Sequence, residues 1–148
     1  MSSVETGVRR VRDLSRTVFD QRLRERLAVR LGPFDACLQV RCPGINAALH
    51  ALYADYELIS EAGVFSFHAC LDAVPSWRPG RRKVRFSVDG RRPHEDMPAE
   101  HALAVLEWGI NFVVAMRFHH CLMLHAAVVA RNEGEVLLLP AAPGAGKT

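Results

Sequence analysis

The chain has 148 residues, 49% of them hydrophobic, and a formal net charge of +3. That length and apolar content suffice for one buried core and exclude an intrinsically disordered segment. The charge is too mild to mark a nucleic-acid-binding protein without a concentrated basic patch, and the lysines are only Lys83 and Lys147 among 19 basic residues.

Met1 to Arg16 carries charges throughout and has no apolar stretch of the signal-peptide kind. Residues 1–20 read as a polar, loosely ordered segment, with a short helix around Leu14 to Leu23. Arg26 to Leu31 and Phe34 to Val40 alternate as two strands joined by a turn at Gly32-Pro33, with Ala36, Leu38 and Val40 on one face. Pro43-Gly44 breaks the second strand, and Ile45 to Tyr53 has helical spacing. Val64 to Leu71 alternates again, placing Phe65, Phe67, Ala69 and Leu71 on one side. Pro75 to Gly80 is a loop, and Val84, Phe86 and Val88 form a strand closed by the turn dipeptide Asp89-Gly90. Residues 21–95 therefore read as a small mixed α/β unit.

Residues 96–148 read as a buried helix, a hairpin and a phosphate loop. Pro98-Ala99-Glu100 is a helix start, and the helix runs to about His119 with apolar residues round most of its circumference. Glu107, Asn111, Arg117 and two histidines interrupt its apolar run, so a buried amphipathic helix fits better than a membrane span. Leu122 to Ala130 and Glu135 to Leu139 follow as strands joined through Asn132-Glu133-Gly134. The continuous V-L-L-L run of the second strand is of the kind expected at a sheet centre. Cys37, Cys42, Cys70 and Cys121 form no C-x-x-C pair and read as reduced, cytosolic structural thiols.

The chemistry is concentrated at Ala141 to Thr148, A-A-P-G-A-G-K-T, which fits the Walker A pattern with alanine in place of the first glycine. Gly144 and Gly146 allow the backbone to curl until successive N–H groups converge on phosphate oxygens. Lys147 would reach the β- and γ-phosphates, and the Thr148 hydroxyl would ligate Mg²⁺. In a chain that otherwise uses arginine, a lysine at this place is not explained by composition.

The approach to the loop is more specific than the loop. L-H-A-A-V-V (Leu124 to Val129), a turn and E-V-L-L-L-P entering G-A-G-K-T resembles the HPr serine kinase catalytic domain, where an L-H-G strand, a turn and a second strand enter the phosphate loop. With G-P-F (Gly32 to Phe34), A-L-Y-A-D-Y (Ala51 to Tyr56), R-F-S-V-D-G (Arg85 to Gly90) and L-E-W-G-I-N-F (Leu106 to Phe112), the chain is similar to the bacterial HPr-kinase-related A family over about residues 10–148. The resemblance implies an α/β fold of mixed sheets. A small N-terminal α/β unit would precede the start of a P-loop domain of the HPr kinase and phosphoenolpyruvate carboxykinase type. It implies a cytoplasmic, ATP-binding protein using Mg²⁺, with Ala141, Ala142, Pro143, Gly144, Ala145, Gly146, Lys147 and Thr148 holding the nucleotide.

His125 matches the histidine near the phosphates in that family; a core histidine satisfied by a backbone carbonyl is the other reading. HPr kinases place an acidic pair downstream of the loop and are hexamers. The chain stops at Thr148, so it is expected to be a truncated, inactive piece of a phosphotransferase whose acceptor is unspecified, a protein substrate being one option. A nucleotide-binding regulatory switch, or a protein-binding module in Arg26 to Arg92, are the alternatives. A homo-oligomer is left open; nucleic acid and membrane are not expected partners. Lesser candidates receive structural readings: Glu107 with an arginine or backbone partner, and His119-His120-Cys121 without zinc spacing. The run Arg78, Arg81, Arg82, Lys83 and Arg85 beside Trp77 reads as a solvated edge. Without sheet partners, Leu137 to Leu139 is expected to expose apolar surface.

Overall fold

The computed structural model describes residues 8–75, 82–120, 122, 124, 126–131, 134–140 and 142. The fold is mixed α/β. Contacts divide it into two compact units, Met1–Val113 and Val114–Thr148.

The first unit is a six-stranded sheet with helices. Ser15 opens α1 (Arg16–Glu25), its side chain accepting from the Val18 N–H, and Phe19 and Leu23 bury the inner side of that helix. Strand β1 (Leu27–Leu31) turns back into β2 (Phe34–Arg41) through Gly32-Pro33, with Leu31 opposite Phe34. Gly32 has φ +58, the left-handed value that the first corner of a two-residue hairpin needs and that glycine adopts without strain. Helix α2 (Asn46–Leu52) and the two-residue β3 (Glu57–Leu58) follow, then β4 (Phe67–Val74), β5 (Lys83–Val88) and β6 (Met97–Pro98). The order across the sheet is β3-β1-β2-β4-β5-β6, antiparallel throughout except for the parallel pair β2 and β4.

The alternation read in the sequence is realised as one apolar face. Ala36, Leu38 and Val40 of β2, Phe67, Ala69 and Leu71 of β4, and Val84, Phe86 and Val88 of β5 are all buried. Burying each larger side chain contributes about 1.5–3 kcal/mol before chain entropy is subtracted. The β4 strand begins at Phe67 rather than Val64. Val64 is 95% exposed, and Phe65 is half-buried under the Arg26 guanidinium, 5.4 Å from its ring centre.

The stretch before α1 departs from the loose ordering expected of it. Val11 is wholly buried and Leu14 nearly so. The Val11 and Arg12 N–H groups donate to Tyr56 and Ala54, and Leu58 N–H donates to Arg9. The polar residues around Val11 and Leu14 masked two apolar anchors, and the backbone bonds to residues 54–58 make a docked edge of this segment.

Helix α3 (Ala102–Arg117) follows a 3-10 turn at Ala99–His101. Ala102, Val105, Leu106, Gly109, Ile110 and Val113 are its buried residues. By length and composition alone Ala99–Arg117 could cross a membrane, yet Gly109 lies directly against the Phe86 ring: a Cβ there would fall 2.6 Å from two ring carbons. A side chain at 109 is absent because Phe86 occupies its place. The helix is not buried all round, as its composition suggested, because Trp108 and Met116 are 52% and 57% exposed.

In the second unit, β7 (Ala126–Arg131) and β8 (Glu135–Pro140) form a two-stranded antiparallel sheet.

Candidate nucleotide-binding hairpin

The residues assigned to the phosphate loop are reached through β7 and β8. The strands pair from Arg131 opposite Glu135 to Ala126 opposite Pro140. Gly134, at φ +114, takes the corner next to Glu135, a conformation a Cβ would strain. The hairpin drawn from L-H-A-A-V-V, the turn and E-V-L-L-L-P is therefore present, with β7 beginning at Ala126.

The last paired rung, Ala126 with Pro140, adjoins the proposed site in sequence on both strands: His125 precedes one and Ala141 follows the other. His125, Ala141, Pro143, Gly144, Ala145, Gly146, Lys147 and Thr148 lie outside the described residues. Ala142 is exposed and in neither helix nor strand.

The sheet-centre character of V-L-L-L is not realised among the described residues, where β8 has β7 as its neighbour. The register puts Val128, Val136 and Leu138 on one face and Val129, Leu137 and Leu139 on the other. All six are between 45% and 62% exposed. Apolar exposure at Leu137 to Leu139 is thus observed, and both faces of the ribbon share it.

Among the described residues Glu107 has neither an arginine nor a backbone partner; the Tyr53 hydroxyl donates to its Oε1 at 2.6 Å. Tyr53 is buried, and burial together with the Glu107 carboxylate drives its phenol well above the ordinary range, so it stays protonated. Arg85 holds Asp96 through two bonds, Nε to Oδ1 at 2.8 Å and Nη2 to Oδ2 at 2.7 Å. Arg82 and Lys83 are exposed, while Trp77, Arg78 and Arg81 lie outside the described residues. His119 and His120 follow α3, Cys121 is outside the described residues, and no group that could hold a metal occurs among the described residues. Cys37, Cys42 and Cys70 are free thiols.

Sequence reading missed an aromatic cluster on the middle of α3. Trp108 stacks on Phe112 at 5.6 Å and meets His94 edge-on at 4.8 Å, and His94 lies flat against Phe86 at 5.9 Å. His94, Met97, His101, Ala104, Val105 and Trp108 line an apolar cavity of about 480 Å³. The i, i+4 pair Trp108 and Phe112 signalled part of it; His94, in an irregular segment, gave no periodic signal. Compared with known proteins, the chain matches no protein-family model, no curated protein and no solved structure.

Proposed function

We propose that residues 125–148 form the nucleotide-binding half of an HPr-serine-kinase-type site, and that the protein uses ATP and Mg²⁺ in phosphotransfer. The observation that carries this reading is the succession of an antiparallel hairpin and G-A-G-K-T, with two residues, Ala141 and Ala142, between Pro140 and Pro143. A P-loop needs a strand to deliver it, and a hairpin entry is the variant that the resemblance to the HPr-kinase-related A family rests on.

In this reading the backbone N–H groups of Gly144 to Lys147 cradle the phosphates. Lys147 neutralises charge on the β- and γ-phosphates, and Thr148 ligates Mg²⁺. His125, next in sequence to the closing rung, lies near the transferred phosphoryl group. Free thiols at Cys37, Cys42 and Cys70 fit a reducing, cytoplasmic setting.

The test is calorimetric titration of the natural gene product with ATP, with and without Mg²⁺, in wild type and Lys147→Ala. The expected result is Mg²⁺-dependent binding weakened at least tenfold by the substitution. Equal affinity in both forms overturns the nucleotide site. Binding without phosphoryl transfer to any acceptor supports the regulatory-switch reading instead.

A further inference from the structure

Away from the hairpin, α1, the end of β2 and the turn into α2 enclose a cavity of about 690 Å³, within the usual size range of small-molecule sites. Arg16, Asp20 and Arg24 stand at i, i+4 and i+8 and so share one side of α1. Arg41, the last residue of β2, brings a third guanidinium to the same cavity.

The charges are unequally spent. Asp20 Oδ1 accepts from Arg16 Nε at 3.0 Å and from Asn46 Nδ2 at 3.1 Å. Burial opposes its ionisation, but these bonds and the charges of Arg16 and Arg24 prevail and hold it below the ordinary carboxylate value. Asp20 is therefore ionised and answers Arg16. Arg41 meets Asp72 through Nε at 3.0 Å and Gln39 through Nη2 at 2.8 Å. A guanidinium carries five N–H donors, so among the described residues most of the Arg41 fork is uncommitted. Arg24 has no ion-pair partner among the described residues. The lining thus holds three positive charges against one negative, with Asp72 offsetting Arg41 from outside it.

The Cys42 thiol in the lining does not add a competing anion. Burial, and then the charge of Asp72, raise the Cys42 thiol, which stays neutral. The location has a topological reason too: β2 runs parallel to β4, and ligands of α/β sheets gather beyond the carboxyl ends of such strands.

We propose that this cavity binds a small molecule bearing a phosphate-monoester dianion, held by Arg24 and by the open donors of Arg41 and Arg16. Planar guanidinium forks match tetrahedral oxyanions with paired bonds, and two or three arginines on one cavity favour a dianion over a monoanion. The cavity is built entirely from residues 16–47, so the proposal does not depend on the nucleotide reading.

The experiment titrates the protein with inorganic phosphate, and separately with succinate, at constant ionic strength set by chloride. Binding is followed by calorimetry and by the amide resonances of Gly44 and Ala47. In wild type both amides should shift as phosphate is added, reporting this cavity separately from any phosphate taken up at Gly144 to Lys147. Arg24→Ala should weaken the binding they report at least tenfold, and Arg24→Lys should recover part of the loss. Amides of Gly44 and Ala47 that do not move with phosphate, or shifts indifferent to Arg24→Ala, would each overturn the assignment. Tighter binding of succinate than of phosphate would overturn the phosphate class. Circular dichroism of Arg24→Ala establishes its folding, and the Gly44 and Ala47 shifts in wild type keep the test decisive if that variant misfolds.

Discussion

The Tyr53 hydroxyl, one residue past α2, donates to Glu107 Oε1 on α3 at 2.6 Å, joining two residues 54 apart in the chain. The acceptor is a carboxylate and the donor is buried, so each group supplies what the other would lack in an apolar setting.

Tyr53→Phe should cost about 1–3 kcal/mol at neutral pH, because it leaves a half-buried carboxylate without its donor. Urea denaturation measures the loss, and Glu107→Gln, which keeps an acceptor, should cost less. The pH dependence has a definite sign. Folding raises the Tyr53 phenol above its ordinary value of 10.0, so above that pH the unfolded chain releases a proton that the folded chain keeps. This contribution is therefore complete below pH 10 and declines as the pH rises beyond it. Tyr53→Phe should remove that alkaline decline; an unchanged slope would refute the linkage.

Gly109→Ala tests the contact with Phe86. Alanine ordinarily favours a helix interior by about 0.5–1 kcal/mol over glycine. Here the added Cβ would lie 2.6 Å from a ring that is wholly buried, and overpacking of that kind costs about 1–3 kcal/mol. The expected outcome is a lower thermal midpoint, recovered in part by pairing the change with Phe86→Leu. A higher midpoint would show that the ring can move aside.

Asp96 should contribute to acid sensitivity. The paired hydrogen bonds from Arg85 hold its carboxyl below the usual 3.8 against the opposing effect of burial. Its stabilisation is present above that value and fades as the pH falls through it toward the folded-state value. Asp96→Asn should lower stability at pH 7 and flatten the acid limb of a stability-against-pH curve. An acid limb as steep as wild type's would assign it to other carboxylates.

The hairpin should promote self-association, and from both sides. Leu138→Lys changes the face shared with Val128 and Val136 but leaves Val129, Leu137 and Leu139 untouched. Sedimentation velocity should therefore show a partial loss of association in Leu138→Lys and near-complete loss when Leu137→Lys is added. Complete loss from the single change would mean that one face alone is sticky.

Much of the sheet was legible because its signals are local. Alternation marked β2, β4 and β5, and Gly32-Pro33 marked a corner that φ +58 at Gly32 realises. The dipeptide Asp89-Gly90 was legible for the same reason: both residues have positive φ, and Val88 and Arg91 exchange backbone bonds across them. What stayed hidden depends on pairing between distant residues. Nothing local to Glu107 names Tyr53, and nothing in β2 says that it will lie parallel to β4. Val11 and Leu14 were overlooked because each stands alone among charges, where periodicity has nothing to count. Arg16 and Arg24 could be placed on one side of a helix from spacing, but their convergence with Arg41 required the fold. The hairpin's strands were likewise legible.

The parallel rung between β2 and β4 also bears on how the sheet comes together. The β1–β2 pair closes through a two-residue corner, and β4–β5 through a connection of eight residues, so both are local ribbons that can assemble early. The β2–β4 ladder, from Ala36 with Phe67 to Arg41 with Asp72, spans the intervening α2 and β3 and has no short closure. It welds two ribbons into one cooperative body. In deuterium exchange the amides of this seam should open only with global unfolding, while the two-residue margins β3 and β6 exchange by fraying.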